Sequence, residues 1–481
     1  MNSFSNKSII FSLLWKFIER TSIQISNFII SIILARILSP SDYGSIALLQ
    51  IFITISEVIS QSGLGTVLIQ KNNVSYSDQT FVFTNSICVS ILIYIIIFLL
   101  SPYLGNYLNI NHFCFPLRIL ALELFITPFT LILNTILVKS LNFRDILISN
   151  LIASVISGII GVFLALKNFG LYSLIIHHIM TKLISLIIME YRVKWIPSLN
   201  INIKSNIAML VSGLKIMFTN LISTSFNEIR SIAITSKYNI NELAYYEKGK
   251  QIPQLLINNV NLTISSVMLP IFSSKQNNNR DLKNNLSMSI VLSTFLIFPI
   301  FGFLIISSKN IILLLLTEKW LPSLPFFIIN ILFFSLSPIQ IFTEQIIIAK
   351  NKNTLLLKNE ILKKIIGIII LFLSIFCFDK AVYIAYGGLL IGIISLIINQ
   401  LPMSKLINYS ILNLFQDVFP NILLSIITNL IIYYIKYIIT NLYILLMVQF
   451  FFCIVIYILF SCFFKTKGSI FVINLLMHKQ Q

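Results

Sequence analysis

An all-α integral membrane protein of about fourteen transmembrane helices is the fold class this sequence predicts. Three observations predict it. Hydrophobic residues make up 57% of the 481 positions and charged residues only 10%, whereas soluble domains carry roughly 25% charged residues; so few charges cannot make a soluble surface. Mean hydropathy is +0.93, and apolar runs of about 20 residues, enough to cross roughly 30 Å of hydrocarbon, follow one another with no polar interval long enough for a separate domain. The basic residues are also unevenly placed. Counting loops from a cytoplasmic N-terminus puts about 21 of the 34 Lys and Arg inside and about 10 outside, the asymmetry of the positive-inside rule.

Taken in order, the spans are expected near 10–34, 44–68, 80–101, 116–138, 146–166, 170–191, 208–235, 252–272, 286–306, 322–349, 359–378, 380–400, 419–439 and 441–464. The short N-terminal stretch Met1 to Lys7 leads into a long first span without a small-residue cleavage site, so the first helix is expected to be retained. Between the first two spans, Pro40 and Gly44 bracket a tight turn and Asp42 can cap the next helix. The second and eighth spans hold the most polar residues, which leaves a break in either open. Gly63 and Gly65 permit a bend or close packing in the second, and Pro253 a start or kink in the eighth. Trp195 and Trp320, near span ends, read as interfacial anchors, and Arg118 and Lys350 as snorkelling cations.

The net charge of +18 follows from cytoplasmic clusters such as Arg192, Lys194 and Lys204, then Lys275, Arg280 and Lys283, then Lys350, Lys352, Lys358, Lys363 and Lys364. It gives no reason to invoke nucleic acid. Cys88, Cys114, Cys377, Cys453 and Cys462 are scattered without CxxC spacing, so neither a metal site nor a disulfide framework is indicated. No GxxxxGK[ST], HExxH or GxSxG stretch occurs. The chain is expected not to be an enzyme, with no catalytic residue, metal or cofactor.

A shift of 200 residues aligns Ser12 with Ser212, Leu14 with Leu214, Asn27 with Asn227, Ile29 with Ile229, Ser31 with Ser231 and Val67 with Val267, and brings the first span onto the seventh. The organisation expected is a six-helix lobe over 1–193, a cytoplasmic linker over 194–207, a second six-helix lobe over 208–400, and two further spans with a cytoplasmic tail over 401–481. Pseudo-symmetric halves are how many secondary transporters alternate access around a midplane site.

Ionisable groups inside spans cost several kcal/mol unless they face water or a partner, so they mark function by default. In the first span Ser12, Lys16, Arg20, Gln24, Asn27 and Ser31 share one helical face, which must meet a polar cavity or a partner helix. In the seventh, Ser212, Thr219, Ser223, Asn227 and Arg230 repeat the device, with Glu228 beside them. If the two faces met across a pseudo-dyad they would line a wet cavity, where the planar forks of Arg20 and Arg230 suit a phosphate. The structural alternative pairs Glu19 with Arg20 and Glu228 with Arg230, although such close neighbours project apart on a helix. Glu57, Glu123 and Glu344, with Glu19 and Glu228, are the candidates for carrying a coupling proton or sodium ion. Lys182, with His177 and His178, is a further polar site in the sixth span. A structural helix–helix bond is an equal alternative for any one of them.

Two segments carry a family resemblance. The first is Trp15, Glu19, Arg20 and Gln24 leading into LARILSPSDYG (34–44) and SGLGTVLIQ (62–70). The second is YYEKGKQIPQLLINN (245–259) followed by VMLPIFS (267–273). Together they resemble the polysaccharide-transporter (Wzx-type) branch of the multidrug/oligosaccharidyl-lipid/polysaccharide (MOP) flippase superfamily. The resemblance implies translocation of an undecaprenyl-pyrophosphate-linked oligosaccharide, an O-antigen or exopolysaccharide/capsule precursor, across the bacterial inner membrane by alternating access. The even span count and the Lys and Arg asymmetry put both termini in the cytoplasm, and the resemblance implies a polysaccharide polymerase and glycosyltransferases of the same pathway as partners. Under that reading Arg20, Gln24, Asn27, Asn227 and Arg230 bind substrate. A cation-coupled multidrug or small-solute antiporter on the same fold is the alternative. A membrane glycosyltransferase is the third possibility, though such enzymes usually expose a large hydrophilic domain that this chain lacks.

Overall fold

The computed structural model describes residues 6–108, 113–198 and 206–471, and within these not the side chains of 6–14, 16, 17, 262, 263, 266, 267 and 269. Lys204 and the side chains of Ser12, Lys16 and Val267 therefore lie outside the described residues, as does the middle of the 194–207 linker, 199–205.

Helices make up the described secondary structure. In chain order they are α1 (Asn6–Ile37), α2 (Pro40–Gln61), α3 (Leu64–Gln70), α4 (Tyr76–Tyr107), α5 (Cys114–Leu120), α6 (Glu123–Lys139), α7 (Phe143–Leu166), α8 (Leu171–Val193), α9 (Ile207–Lys237), α10 (Ile240–Ser274), α11 (Asn279–Ile306), α12 (Ser308–Leu315), α13 (Leu324–Ser335), α14 (Ser337–Ala349), α15 (Asn353–Cys377), α16 (Val382–Ile407), α17 (Ile411–Tyr433) and α18 (Leu442–Phe463). Among the described residues, 12 helical segments are long and apolar enough to cross a membrane. The other two expected spans are helical as well. They are α10, rich in Asn and Gln, and α15, whose first half holds Glu360, Lys363 and Lys364. The polytopic all-α fold thus stands, and the chain is a multi-pass membrane protein.

Three expected spans are broken. The second divides into α2 and α3 at Ser62 and Gly63, both in the left-handed region with φ 50° and 65°. A Cβ on Gly63 would lie 2.3 Å from the Gly213 carbonyl of α9, so only glycine lets these backbones meet. The fourth divides into α5 and α6 around Ala121 and Leu122. The tenth starts as a tight 3-10 turn at Glu318–Ser323 and breaks at Leu336, ahead of Pro338.

Two turn expectations are corrected. Gly44 does not close the first hairpin; it lies inside α2, where a Cβ would come within 1.9 Å of the Ile240 carbonyl. The turn is made instead by Ser39, which forms a reciprocal capping box with Asp42 ahead of Pro40 in the first helical turn. Pro253 does not start a helix; it lies inside α10, which runs from Ile240 to Ser274.

The chain divides into two compact units, Met1–Ala244 and Tyr245–Gln481. In the first, α7 packs on α1 and α8, and α2 packs on α4, α6 and α9. Because lipid tails are as apolar as leucine, hydrophobicity alone does not drive helices together here, and small and hydroxyl side chains do the joining. Ser26 and Ser154 share a 2.9 Å bond, Ser154 donates to Asn27 Oδ1 at 2.7 Å, Ser157 meets Thr181 at 2.6 Å, and Gly158 leaves room for Ile30.

In the second unit α11 and α17 are joined by a ladder with four-residue spacing. Asn421 donates to the Val291 carbonyl at 3.0 Å, Ser425 to the Phe298 carbonyl at 2.7 Å, and Asn429 fills the space above Gly302. At the end of this pair the buried Asp417 carboxylate accepts from Ser287 Oγ (2.5 Å), Tyr409 Oη (2.9 Å) and Lys467 Nζ (2.6 Å). Burial, and then the adjacent Asp417 charge, hold the Tyr409 phenol well above its ordinary range.

Both tryptophans expected at the interface are instead buried. Trp195 packs edge-on against Phe83 in a core with Leu64, Leu68, Ile132 and Leu133, and Trp320 lies edge-on to Tyr245. Arg118 likewise bonds inward, to Ser101 Oγ and the Phe98 carbonyl, with its guanidinium 3.8 Å from the Phe98 ring. The outward faces are apolar, with Leu92, Leu99, Phe376, Phe451 and Phe463 exposed where lipid would cover them.

Candidate functional site

In the first unit three separate helices bring intramembrane charges together: Glu57 (α2), Glu123 (α6) and Lys182 (α8). Lys182 Nζ lies 2.9 Å from Glu123 Oε2 and in direct contact with Glu57 Oε1. The Thr127 hydroxyl, one turn after Glu123, reaches Glu57 at 3.5 Å. Exposure is 1% for Glu123, 22% for Glu57 and 33% for Lys182, so the cluster grades from a dry end to a wetter one.

Two carboxylates and one ammonium sum to −1 when all are ionised. In a medium that penalises uncompensated charge, such a set is balanced when it also holds one proton or one monovalent cation. Sequence reading found both glutamates and the lysine but not their meeting, because Lys182 and Glu57 are 125 residues apart. His177 and His178, one turn before Lys182, are tilted at 57° with ring centroids 5.6 Å apart, and His177 lies against Gly161.

The second unit holds a comparable arrangement. Glu344 Oε1 (α14) accepts from Lys363 Nζ (α15) at 2.9 Å and from Asn399 Nδ2 (α16) at 2.9 Å, while Lys363 also contacts Glu360. Lys363 was counted from sequence with the cytoplasmic cluster; here it is largely buried and joins two carboxylates. Asn399 gave no sequence signal.

The polar stripe of α1 meets a partner helix through its middle. Ser26 and Asn27 bond Ser154 of α7, the Ser31 carbonyl accepts from Tyr43, and Gln24 is half-buried. Arg20 is exposed and Glu19 buried, on adjacent positions of one helix. On α9, Asn227 is exposed while Glu228 and Arg230 are half-buried. Helix α1 packs chiefly on α7, and α9 on α2 and α3, so neither helix is the other's main neighbour. Among the described residues no group of three or more His, Cys, Asp or Glu is placed to hold a metal ion.

Comparison with known proteins bears on this arrangement. The succinoglycan biosynthesis transport protein ExoT of Rhizobium meliloti (strain 1021) is 20% identical over 64% of this chain and 62% of its own length. The chain spans 57–65% of the length of the curated relatives it matches. Among solved structures, a lipid II flippase, MurJ, in an inward closed conformation aligns with 97% of this chain and 100% of its own, with a TM-score of 0.74 at 16% identity. An inward-facing multidrug resistance MATE family transporter of the MOP superfamily aligns with 80% of this chain and 95% of its own, with a TM-score of 0.61 at 14% identity. At these identities the likeness establishes the fold alone, which is the one the two sequence segments anticipate. A family model described as polysaccharide biosynthesis protein matches residues 33–325, a stretch that runs from α1 through the charge cluster into the second unit, and the chain belongs to that polysaccharide biosynthesis family.

Proposed function

We propose that the chain is a flippase for undecaprenyl-pyrophosphate-linked oligosaccharide repeat units, precursors of O-antigen or of exopolysaccharide or capsule, carrying them between leaflets of the bacterial inner membrane by alternating access. One observation carries this reading: membership of a polysaccharide biosynthesis family in a chain whose described residues are almost entirely membrane helices. Such a member moves a lipid-borne precursor and performs no chemistry on it. The relative named as a succinoglycan transport protein and the fold shared with a lipid II flippase both favour a lipid-linked saccharide as cargo.

In this reading the halves 1–193 and 208–400 are the moving lobes, the basic loops and both termini are cytoplasmic, and the polymerase and glycosyltransferases of the pathway act before and after transport. Arg20 and Arg230 bind the pyrophosphate, while Gln24, Asn27 and Asn227 contact sugar. The Glu57–Lys182–Glu123 cluster, with Glu344 in the other unit, couples movement to a proton or monovalent cation; Glu19 and Glu228 are further candidates for that role. Deleting the gene should leave lipid-linked repeat units facing the cytoplasm and remove the surface glycan. Normal glycan in a deletion strain with no redundant transporter would sink the reading.

The same charge cluster also suits a cation-coupled multidrug or small-solute antiporter, whose fold the chain shares. Heightened drug sensitivity on deletion, with the glycan untouched, would favour that alternative.

A further inference from the structure

Beside the break between α2 and α3 lies a cavity of about 280 Å³, within the first unit and distinct from the charge cluster. Its polar lining comes from Gln61 and Thr66 on either side of the break, Thr130, Asn134 and Thr135 on α6, and Asn220 on α9. Among the described residues, none that lines it is charged or aromatic. The cavity exists because the chain cannot continue as one helix through Ser62 and Gly63: the left-handed pair turns α3 away from α2 and lets α9 approach at Gly213.

The lining is chemically uncommitted. The Thr130 and Thr135 hydroxyls donate to carbonyls of their own helix, the latter to Leu131 at 2.7 Å, and keep their lone pairs available. Among the described residues, the side chains of Gln61, Thr66, Asn134 and Asn220 form no hydrogen bond within the protein. Three amides and a hydroxyl, each able to donate and accept, therefore converge on one space without being used to hold helices together. That contrasts with Asn27, Asn421 and Asn429, which all bond neighbouring helices, Asn429 through the Pro299 carbonyl of α11.

Resting on the flippase reading, we infer that this cavity is a binding site for a sugar ring of the cargo, separate from the arginines proposed for the pyrophosphate. Sugar hydroxyls donate and accept at once, which matches amides and threonines and gives a pyrophosphate no counter-charge. The volume lies just below the usual range for small-ligand pockets, roughly 300–1,000 Å³, so it admits a single ring and leaves the rest of the oligosaccharide outside. Irregular membrane backbone is tolerated where it lines a cavity, which is also where transporters place their substrates.

The test uses the full chain in lipid nanodiscs and two probes, undecaprenyl pyrophosphate and the undecaprenyl-linked saccharide fraction extracted from cells deleted for this gene. The wild type should bind the saccharide-bearing fraction about tenfold more tightly than bare undecaprenyl pyrophosphate. Asn134→Leu and Gln61→Leu should abolish most of that difference and leave binding of the bare lipid unchanged, while Asn134→Gln, which keeps the amide, should retain it. Equal wild-type affinity for the two probes, or variants that weaken both alike, would overturn the sugar site and leave the flippase reading standing. A wild type that binds neither probe would overturn the flippase reading and the sugar site with it.

Discussion

At the scale of single residues, the charge cluster in the first unit makes the sharpest claims. Glu123 is almost wholly buried and lies against one cation, Lys182. Lys182→Met leaves two carboxylates facing each other in a low-dielectric setting and should destabilise the protein by about 3 kcal/mol, the lower end for breaking a buried pair. Replacing all three groups together, Glu57→Gln, Glu123→Gln and Lys182→Met, should recover most of that loss, because no charge is then left unpaired. Thermal unfolding in detergent checks both; a triple variant less stable than Lys182→Met would contradict the electrostatic account. Arg20→Ala and Arg230→Ala should each cut complementation of glycan export at least tenfold at near-normal protein levels. Full complementation by both would remove the phosphate role.

These residues were only partly legible in sequence. An acidic residue in an apolar run announces itself, and Glu57, Glu123 and Glu344 were found that way. Which cation answers it is tertiary information: Lys182 stands far along the chain from Glu57, and Lys363 hides in a basic run that the positive-inside rule assigns to a loop. Trp195 and Trp320 misled for a related reason. Near a span end an indole suits the lipid interface and a packed core equally, and composition does not separate the two.

At the scale of elements, the broken second span is the feature with the most consequences. Gly63→Ala must place a Cβ 2.3 Å from the Gly213 carbonyl with φ at 65°. The backbone strain alone is about 1–3 kcal/mol, so lower yield and a lower midpoint of thermal unfolding are expected. Gly65→Ala meets the Leu131 side chain at 2.5 Å, which can move, makes otherwise ordinary contact with Thr135, and should be milder. Similar losses in the two variants would count against the fixed backbone approach. The motif SGLG signalled this break, whereas the break at Ala121 and Leu122 has no glycine or proline at its centre and was read as one continuous span.

The α11–α17 ladder makes a second prediction at this scale. Asn421→Leu removes bonds to Val291 and Thr294, and interhelical bonds of this kind in membranes average about 0.6 kcal/mol, so a small loss in detergent unfolding is expected. Asp417→Ala strands the Tyr409 and Ser287 hydroxyls, while the exposed Lys467 ammonium keeps its water, and should cost more, about 2–3 kcal/mol. Sequence reading passed over both residues. An Asn or Asp in a late span has no visible partner until α11 is laid beside it.

At the scale of the whole molecule, the span pattern was the most legible layer. Length, apolarity and the distribution of Lys and Arg are properties of the chain itself and need no tertiary knowledge. Far less visible was which faces look at protein and which at lipid, since leucine is equally at home in either. The candidate sugar cavity suffered most from this, because its amides come from α2, α6 and α9 and none of them stands out alone.

The measurement that tests the central claim most directly is transbilayer movement in a purified system. Proteoliposomes carrying the full chain and the undecaprenyl-linked saccharide fraction are exposed to periodate, which oxidises sugars but does not cross the bilayer. With active protein the oxidised share should rise from the outer-leaflet half towards the whole pool, and the Arg20→Ala Arg230→Ala double variant should fall back towards half. An oxidised share that stays at half with wild-type protein, in vesicles shown to be sealed and to contain it folded, would contradict the flippase assignment.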